Sequence, residues 1–482
     1  MIGEAGIKAE HTSRYRQIAD QIKQAIHTGS LSPDSRLPSV RTLAKQYGVS
    51  LTTALKTLRL LEDEHYAVAR PKSGFFVAPR RAEHRLLTPK PRLVSPLDEQ
   101  TEMHLAMLGS ECRVRLDLAN GDSSLYPVNK IGLLMRQIGY SKPSLLGDTV
   151  KGAGYGPLRH EIARRAVEYG CNISSEDILI TNGCIEALSL ALRATLQPGD
   201  AVAVESPCYF VLLQMLHNLN LRVIEVEAGS KGYVDVEKLT GLFRRKSVQA
   251  FLTISNINNP LGKSIPNEQK ARITHEADDN GVIVIEDDIF GDTAFGDRRP
   301  FPARAFSPNV ILCSGFSKTV APGIRIGWIH SMNFMRKIAS LKYTSTMGTS
   351  MLPQAAVAEL LRSGGYDAHL RKLRRELAGQ IQQMRQAILC YFPSGTRVSE
   401  PEGGYVLWVE MPFSSLNVRK LFLKARSAGV GIAPGHIFAT DARYDRCFRL
   451  NAGFGWNAEV EQAIRQLAHW CRASLDEVKR DG

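Results

Sequence analysis

A lysine stands at the end of a short apolar run, in Cys313-Ser314-Gly315-Phe316-Ser317-Lys318, and Arg325 follows beyond a Pro322-Gly323 break. An amine condenses with an aldehyde only in its neutral form, which a crowded, partly apolar pocket favours. A guanidinium beyond a tight turn offers a fixed fork for a phosphate. The small residues beside Lys318 let backbone amides and the Ser317 hydroxyl approach the same ligand.

Such groups need rigid elements behind them. Between residues 177 and 315, apolar β-branched runs (ILIT, AVAVES, RVIEVE, AFLT, VIVIED, VILCSG) alternate with helical patterns. That rhythm predicts a largely parallel sheet covered by helices on both faces, with ligands gathering at the carboxyl ends of its strands. Gly183, Tyr209, Asn259, Asp287 and Lys318 all fall at such ends. Thr181-Asn182-Gly183-Cys184 opens a helix, so its free amides and the helix dipole form an anion site.

The stretch Ile311–Trp328, read as F-S-K-T-V-A-P-G-I-R-I-G-W from Phe316, resembles the cofactor-lysine segment of fold-type I aminotransferases. That resemblance, over roughly residues 115–475, implies an α/β fold with large and small subdomains and pyridoxal 5′-phosphate (PLP) on Lys318. It puts the phosphate near Arg325, Gly183, Cys184 and Ser317. A buried carboxylate is needed beside the ring nitrogen. Asp287 is placed for it, with Glu286 and Asp288 as alternatives. Asn259 in N-N-P-L-G resembles the asparagine that donates to the cofactor 3′-oxygen, and Tyr209 in S-P-C-Y-F matches the stacking position. Arg449 in F-R-L-N-A-G resembles the arginine that binds the substrate carboxylate. Three departures weigh against efficient turnover. Phe290 stands where the enzymes often have a tyrosine, Gly315 where they have a phosphate-binding serine (here moved to Ser314), and no tyrosine precedes GYGPLR.

The chain has 482 residues and a formal charge of +13. Residues 1–92 carry 16 Lys/Arg against 8 Asp/Glu, an excess that suits a phosphate-rich polymer as partner. No stretch approaches 18 uninterrupted apolar residues, the N-terminus lacks a hydrophobic signal region, and the eight cysteines form no C-x-x-C. A cytoplasmic protein with reduced thiols, no metal site and no membrane association is expected.

Within residues 10–78, Ile18, Ile22 and Ile26 mark one amphipathic helix. Ser39 caps a second, Gly48-Val49 turns the chain, and Ser50 caps a third. This is helix-turn-helix spacing, which makes Thr52, Thr53 and Lys56 candidates for facing DNA. AVARPKSGFFVAP predicts two short strands with a basic tip. R-L-P-S-V-R-x-L-A, G-V-S and S-G-F-F-V together resemble the GntR-type winged helix, which implies contacts from Arg36, Arg41, Ser50, Thr52 and Lys72. The family's usual glycine after the third helix is His65 here. Residues 79–114, with four spaced prolines, are expected to be a linker carrying a short helix at its tail. The two resemblances in one chain match the MocR subgroup of GntR regulators. They imply a homodimeric, PLP-dependent transcriptional regulator that binds two half-sites of duplex DNA and senses PLP or a small amino compound. A working aminotransferase with an accessory DNA module is the alternative.

Overall fold

The computed structural model describes residues 13–71, 73–78, 103, 107, 112–148, 152–229, 231–296, 298–412 and 417–481. It divides into two compact units, Met1–Leu93 and Val94–Gly482.

In the first unit, α1 (Arg14–His27), α2 (Val40–Tyr47) and α3 (Leu51–Asp63) precede a two-stranded wing, β1 (Ala67–Arg70) and β2 (Gly74–Val77). Ser39 and Ser50 cap α2 and α3 as expected, their hydroxyl oxygens accepting from the Thr42 and Thr53 amides at 3.2 and 3.1 Å. Gly48 ends α2 in the left-handed conformation, at φ 61°, and turns the chain into α3. The core joins Ile18, Ala19 and Ile22 of α1 to Leu43, Leu58, Leu61 and the wing residues Ala67 and Val77. His65 also adopts a left-handed conformation, φ 61°, which explains why glycine suits that position.

The second unit begins inside the expected linker. Met103 and Met107 are helical and buried in the same core as Val114, because two apolar side chains four residues apart share one helix face. Strand β3 (Val114–Arg115) then pairs with a later segment, Val430–Gly431. Seven strands form the central sheet among the described residues: β4 (Ile178–Thr181), β5 (Ala201–Ser206), β6 (Arg222–Glu227), β7 (Ala250–Thr253), β8 (Ile283–Asp287), β9 (Ile311–Gly315) and β10 (Gly327–His330). Their order is β4-β10-β9-β8-β7-β5-β6, with β10 antiparallel to both neighbours. The parallel strands therefore end at one edge, where the candidate groups lie. A smaller sheet holds β11 (Arg397–Val398), β12 (Val406–Glu410), β14 (Ala433–Pro434) and β15 (Cys447–Asn451), the remaining pair for β3 being β13 (Val430–Gly431). Its core is separate from that of the central sheet and takes Ile381, Met384 and Ile388 from the helix Gly365–Tyr391, whose first half packs in the central core, and Val460, Ile464 and Leu467 from the helix Ala458–Asp481. Among the described residues, no helix is long and apolar enough to cross a membrane.

Candidate functional site

The lysine loop is an excursion between paired strands. Gly315 of β9 faces Gly327 of β10, and the Phe316 amide donates to the Ile326 carbonyl at 2.9 Å, pinching the loop at its base. At its tip the Lys318 amine donates to the Ala119 carbonyl at 2.8 Å, while the Tyr405 hydroxyl donates to the Lys318 carbonyl. The Phe290 ring centre lies 5.4 Å from the amine. Burial pulls the amine's pKa from 10.5 down to about 8, helped by the nearby Arg449 charge and opposed by Asp287. Ala119 and Tyr405 were not expected from sequence. The Gly403-Gly404-Tyr405 triplet was the faint signal for Tyr405.

Alternation along β8 separates the three consecutive carboxylates. Glu286 accepts from the Ser255 hydroxyl and from the amides of Ala303 and Arg304, at 2.6 and 3.1 Å for the amides. Asp288 is paired with Arg299 and accepts from Asn256 at 2.8 Å. Asp287 points the other way. It accepts from the Cys184 thiol at 3.3 Å and from the Ile289 amide at 3.1 Å, with no ion pair among the described residues. Burial raises its pKa to about 6. The carboxylate on the lysine side of the strand is thus Asp287.

At the other end, Arg325 sits at φ 52° and donates to the Asn182 carbonyl at 3.1 Å. A Cβ on Gly183 would lie 2.6 Å from the Arg325 guanidinium, and one on Gly327 would lie 2.4 Å from the Gly183 carbonyl carbon. These two glycines let β10 and Arg325 press against the start of the helix Cys184–Thr195, whose first amides lack helical partners. Arg325, Asn182, Glu186 and Thr346 line an open groove of about 400 Å³. The Ser317 hydroxyl is buried without a partner among the described residues. Ser314 does not substitute for the absent serine at 315, since its hydroxyl donates to the Asp288 carbonyl at 3.0 Å. Nor does position 315 have room for a side chain, because a Cβ there would meet the Ile326 carbonyl oxygen at 2.9 Å.

Arg449 reaches the pocket from β15 of the small subdomain. It is buried, donating to the Asn259 side-chain oxygen at 2.9 Å and to the Asp117 carbonyl at 2.5 Å, while its Nε has no partner among the described residues. Burial lowers its pKa to about 10. Asn259 is therefore held by Arg449 through its oxygen, leaving its amide nitrogen as donor. Tyr209 precedes the helix Phe210–Asn218, and burial raises its phenol, with Arg449 opposing that shift.

On the first unit, Arg36, Arg41, Ser50, Thr52 and Lys56 are exposed. Thr53 was also expected to face DNA. It is half-buried, and both its amide and its hydroxyl meet the Ser50 hydroxyl, so it closes the helix cap. Lys72 lies outside the described residues.

A sheet-edge lysine, a carboxylate behind it and a helix start beside an arginine define the class: a fold-type I aminotransferase domain, in a chain that also carries a winged helix-turn-helix. The model of aminotransferase class I and II matches residues 117–467, and that of the gntR family of bacterial regulatory proteins matches residues 14–77. The chain is 35% identical over 462 residues to an uncharacterized HTH-type transcriptional regulator of Escherichia coli (strain K12), YdcR, covering 94% of this chain and 98% of that protein. It is 28% identical to the HTH-type transcriptional regulator NorG of Staphylococcus aureus (strain USA300), with 90% and 98% covered. Among solved structures it is similar to Pyrococcus horikoshii kynurenine aminotransferase, at 25% identity and a TM-score of 0.71, covering 80% of this chain and 98% of that one. The chain belongs to the GntR-type transcriptional regulators that carry a class I and II aminotransferase domain, the MocR arrangement. Proteins of that aminotransferase fold depend on PLP in general.

Proposed function

We propose that this DNA-binding regulator is cytoplasmic and homodimeric, holds PLP at Lys318, and responds to PLP itself or to a small amino compound. The observation that carries the PLP reading is a set of polar groups at the lysine loop and the end of β8 that the protein leaves unsatisfied or shifted. The Ser317 hydroxyl lacks a partner and Asp287 is buried without an ion pair among the described residues, and the Lys318 amine is pulled toward neutrality. These groups fit the cofactor's phosphate, aldehyde and ring nitrogen. When bound, PLP supplies an aldehyde that condenses with amines and a ring that accepts electrons.

The protein's own residues do the rest. Arg325, Ser317 and the first amides of the helix Cys184–Thr195 hold the phosphate, with Gly183 supporting the close approach. Tyr209 stacks on the ring, Asn259 donates from its amide nitrogen, and Asp287 holds a proton at the ring nitrogen. Arg449, with its free Nε, binds the carboxylate of an amino-acid effector. Phe290 offers no phenol to tune the cofactor's oxygen, which favours sensing over turnover. On the DNA side, Arg36, Arg41, Ser50, Thr52, Thr53, Lys56 and Lys72 form the contact set, repeated in the second subunit for a second half-site.

The test is borohydride trapping of the protein incubated with PLP, followed by peptide mapping. A phosphopyridoxyl mass increase is expected on the Lys318 peptide and lost in Lys318→Ala. Equal labelling spread over other lysines would overturn the assignment.

A further inference from the structure

Helix α3 buries Ala54, Thr57, Leu58 and Leu61 in the core of its module. The opposite stripe consists of Leu51, Thr52, Leu55, Lys56 and Arg59, all exposed. Two large apolar side chains on this solvated face are unusual, with Leu51 55% and Leu55 41% exposed. They are four residues apart, so they stack on one face of the helix, one turn above the other. Leu51 is the first helical residue, in the part of a recognition helix that meets base edges.

The charges around them say what covers this patch. Lys56 and Arg59 share the stripe, and Arg41 is exposed on α2, while the carboxylates of this face, Glu62 and Asp63, come two turns beyond Leu55 at the end of α3, Glu62 lying 3.6 Å from Arg59. An apolar pair set among cations suits a partner that is anionic at its rim and apolar at its centre. Duplex DNA has that form where thymine occurs, since the C5-methyl group is the apolar feature of the major-groove edge. Of the nearby polar side chains, Ser50 and Thr53 are bonded to each other through their hydroxyls at 2.8 Å, and Thr52 stands exposed beside Leu51. Leucine can neither donate to guanine nor accept from cytosine.

We propose that Leu51 and Leu55 are specificity-determining residues of the DNA interface, each packing against thymine C5-methyl groups in the major groove. This rests on the reading that α3 enters that groove. Lys56 and Arg59 supply phosphate attraction that is blind to sequence, while the two leucines select thymine at the steps they cover.

The full-length protein is used to enrich duplexes from a random-sequence pool, and the best-bound duplex is resynthesised with each thymine replaced in turn by deoxyuridine. That change removes the methyl group and nothing else. At one or two steps per half-site it is expected to weaken wild-type binding roughly fourfold, the effect of losing one buried methyl. The loss should disappear in Leu51→Ala or Leu55→Ala, with the salt dependence of binding unchanged. Both leucines are exposed, so thermal melting of the variants should match wild type and rule out a folding defect. Deoxyuridine that has no effect at any step, or the same effect in wild type and both variants, overturns the proposal. So does a variant that changes only association with protein partners. If no sequence is enriched at all, the DNA-binding reading beneath it fails instead.

Discussion

Arg36, Arg41 and Lys56 stand exposed on the N-terminal module, whereas Asp287 and Arg449 of the larger unit are buried and Lys318 is partly buried. The residue types overlap and the physics does not. An exposed cation keeps its hydration and acts on DNA mainly by displacing counterions, a force that carries little sequence information. A desolvated one loses part of its preference for the charged form, and this makes an amine available for chemistry. The pocket groups are also positioned by specific partners, Lys318 by the Ala119 carbonyl and Arg449 by Asn259. Surface cations need no such positioning, and the polar groups spent on structure in the module are caps such as Ser39 and Ser50.

This contrast is sharpest at Lys318. Its amine titrates near 8 when folded and near 10.5 when unfolded. Between those values the unfolded chain holds the extra proton, so stability should rise with pH through that window. Lys318→Met removes the buried charge and is expected to stabilise the PLP-free protein at pH 7 by on the order of 2–3 kcal/mol. Urea titrations at pH 7 and pH 10 read this directly, since the gap between variant and wild type should shrink at the higher pH. A gap independent of pH would break the contrast.

Gly315→Ser tests whether the enzyme-like residue can return to its position. The Ile326 carbonyl lies too close, so a loss of about 1–3 kcal/mol is expected in denaturant titration. A neutral substitution would mean that the base of the loop yields easily.

On the DNA side, Lys56→Ala should weaken binding to all duplexes alike and lower the slope of log affinity against log salt by about one unit. An unchanged slope would mean that this exposed amine is not on a phosphate. The smallest effect is expected at His65→Gly. Relieving a left-handed histidine should stabilise the N-terminal module by up to about 1 kcal/mol in thermal melting, and a loss would mean that the imidazole makes a contact of its own.

Much of this molecule was legible before its coordinates. Helix caps, the Gly48 turn and the apolar strand runs are local signals, set by residues a few positions apart, and Ser39, Ser50 and β4 to β9 follow them. Strand β10 was harder to see, because a strand of four residues directly after a loop has too little periodicity to register. The tail of the expected linker is helical at Met103 and Met107, as its sequence suggested, but its attachment to a core was not legible. Its prolines lie upstream, while Met103 and Met107 find their partners in a core assembled largely from residues beyond 380.

The sequence by itself determined the two-part organisation, the order of the candidate groups along the chain and the strand ends that carry them. Each depends on spacing, and spacing is written in one dimension. Tertiary structure decided which of Glu286, Asp287 and Asp288 faces the lysine, because Arg299, Asn256, Ser255 and the amides of Ala303 and Arg304 engage the other two. It also decided that Asn259 is held by Arg449 and that Leu51 and Leu55 face outward. Hydrogen-bond partners and exposure depend on which distant segments meet, and only the folded chain brings Asn259 and Arg449 within 2.9 Å of each other.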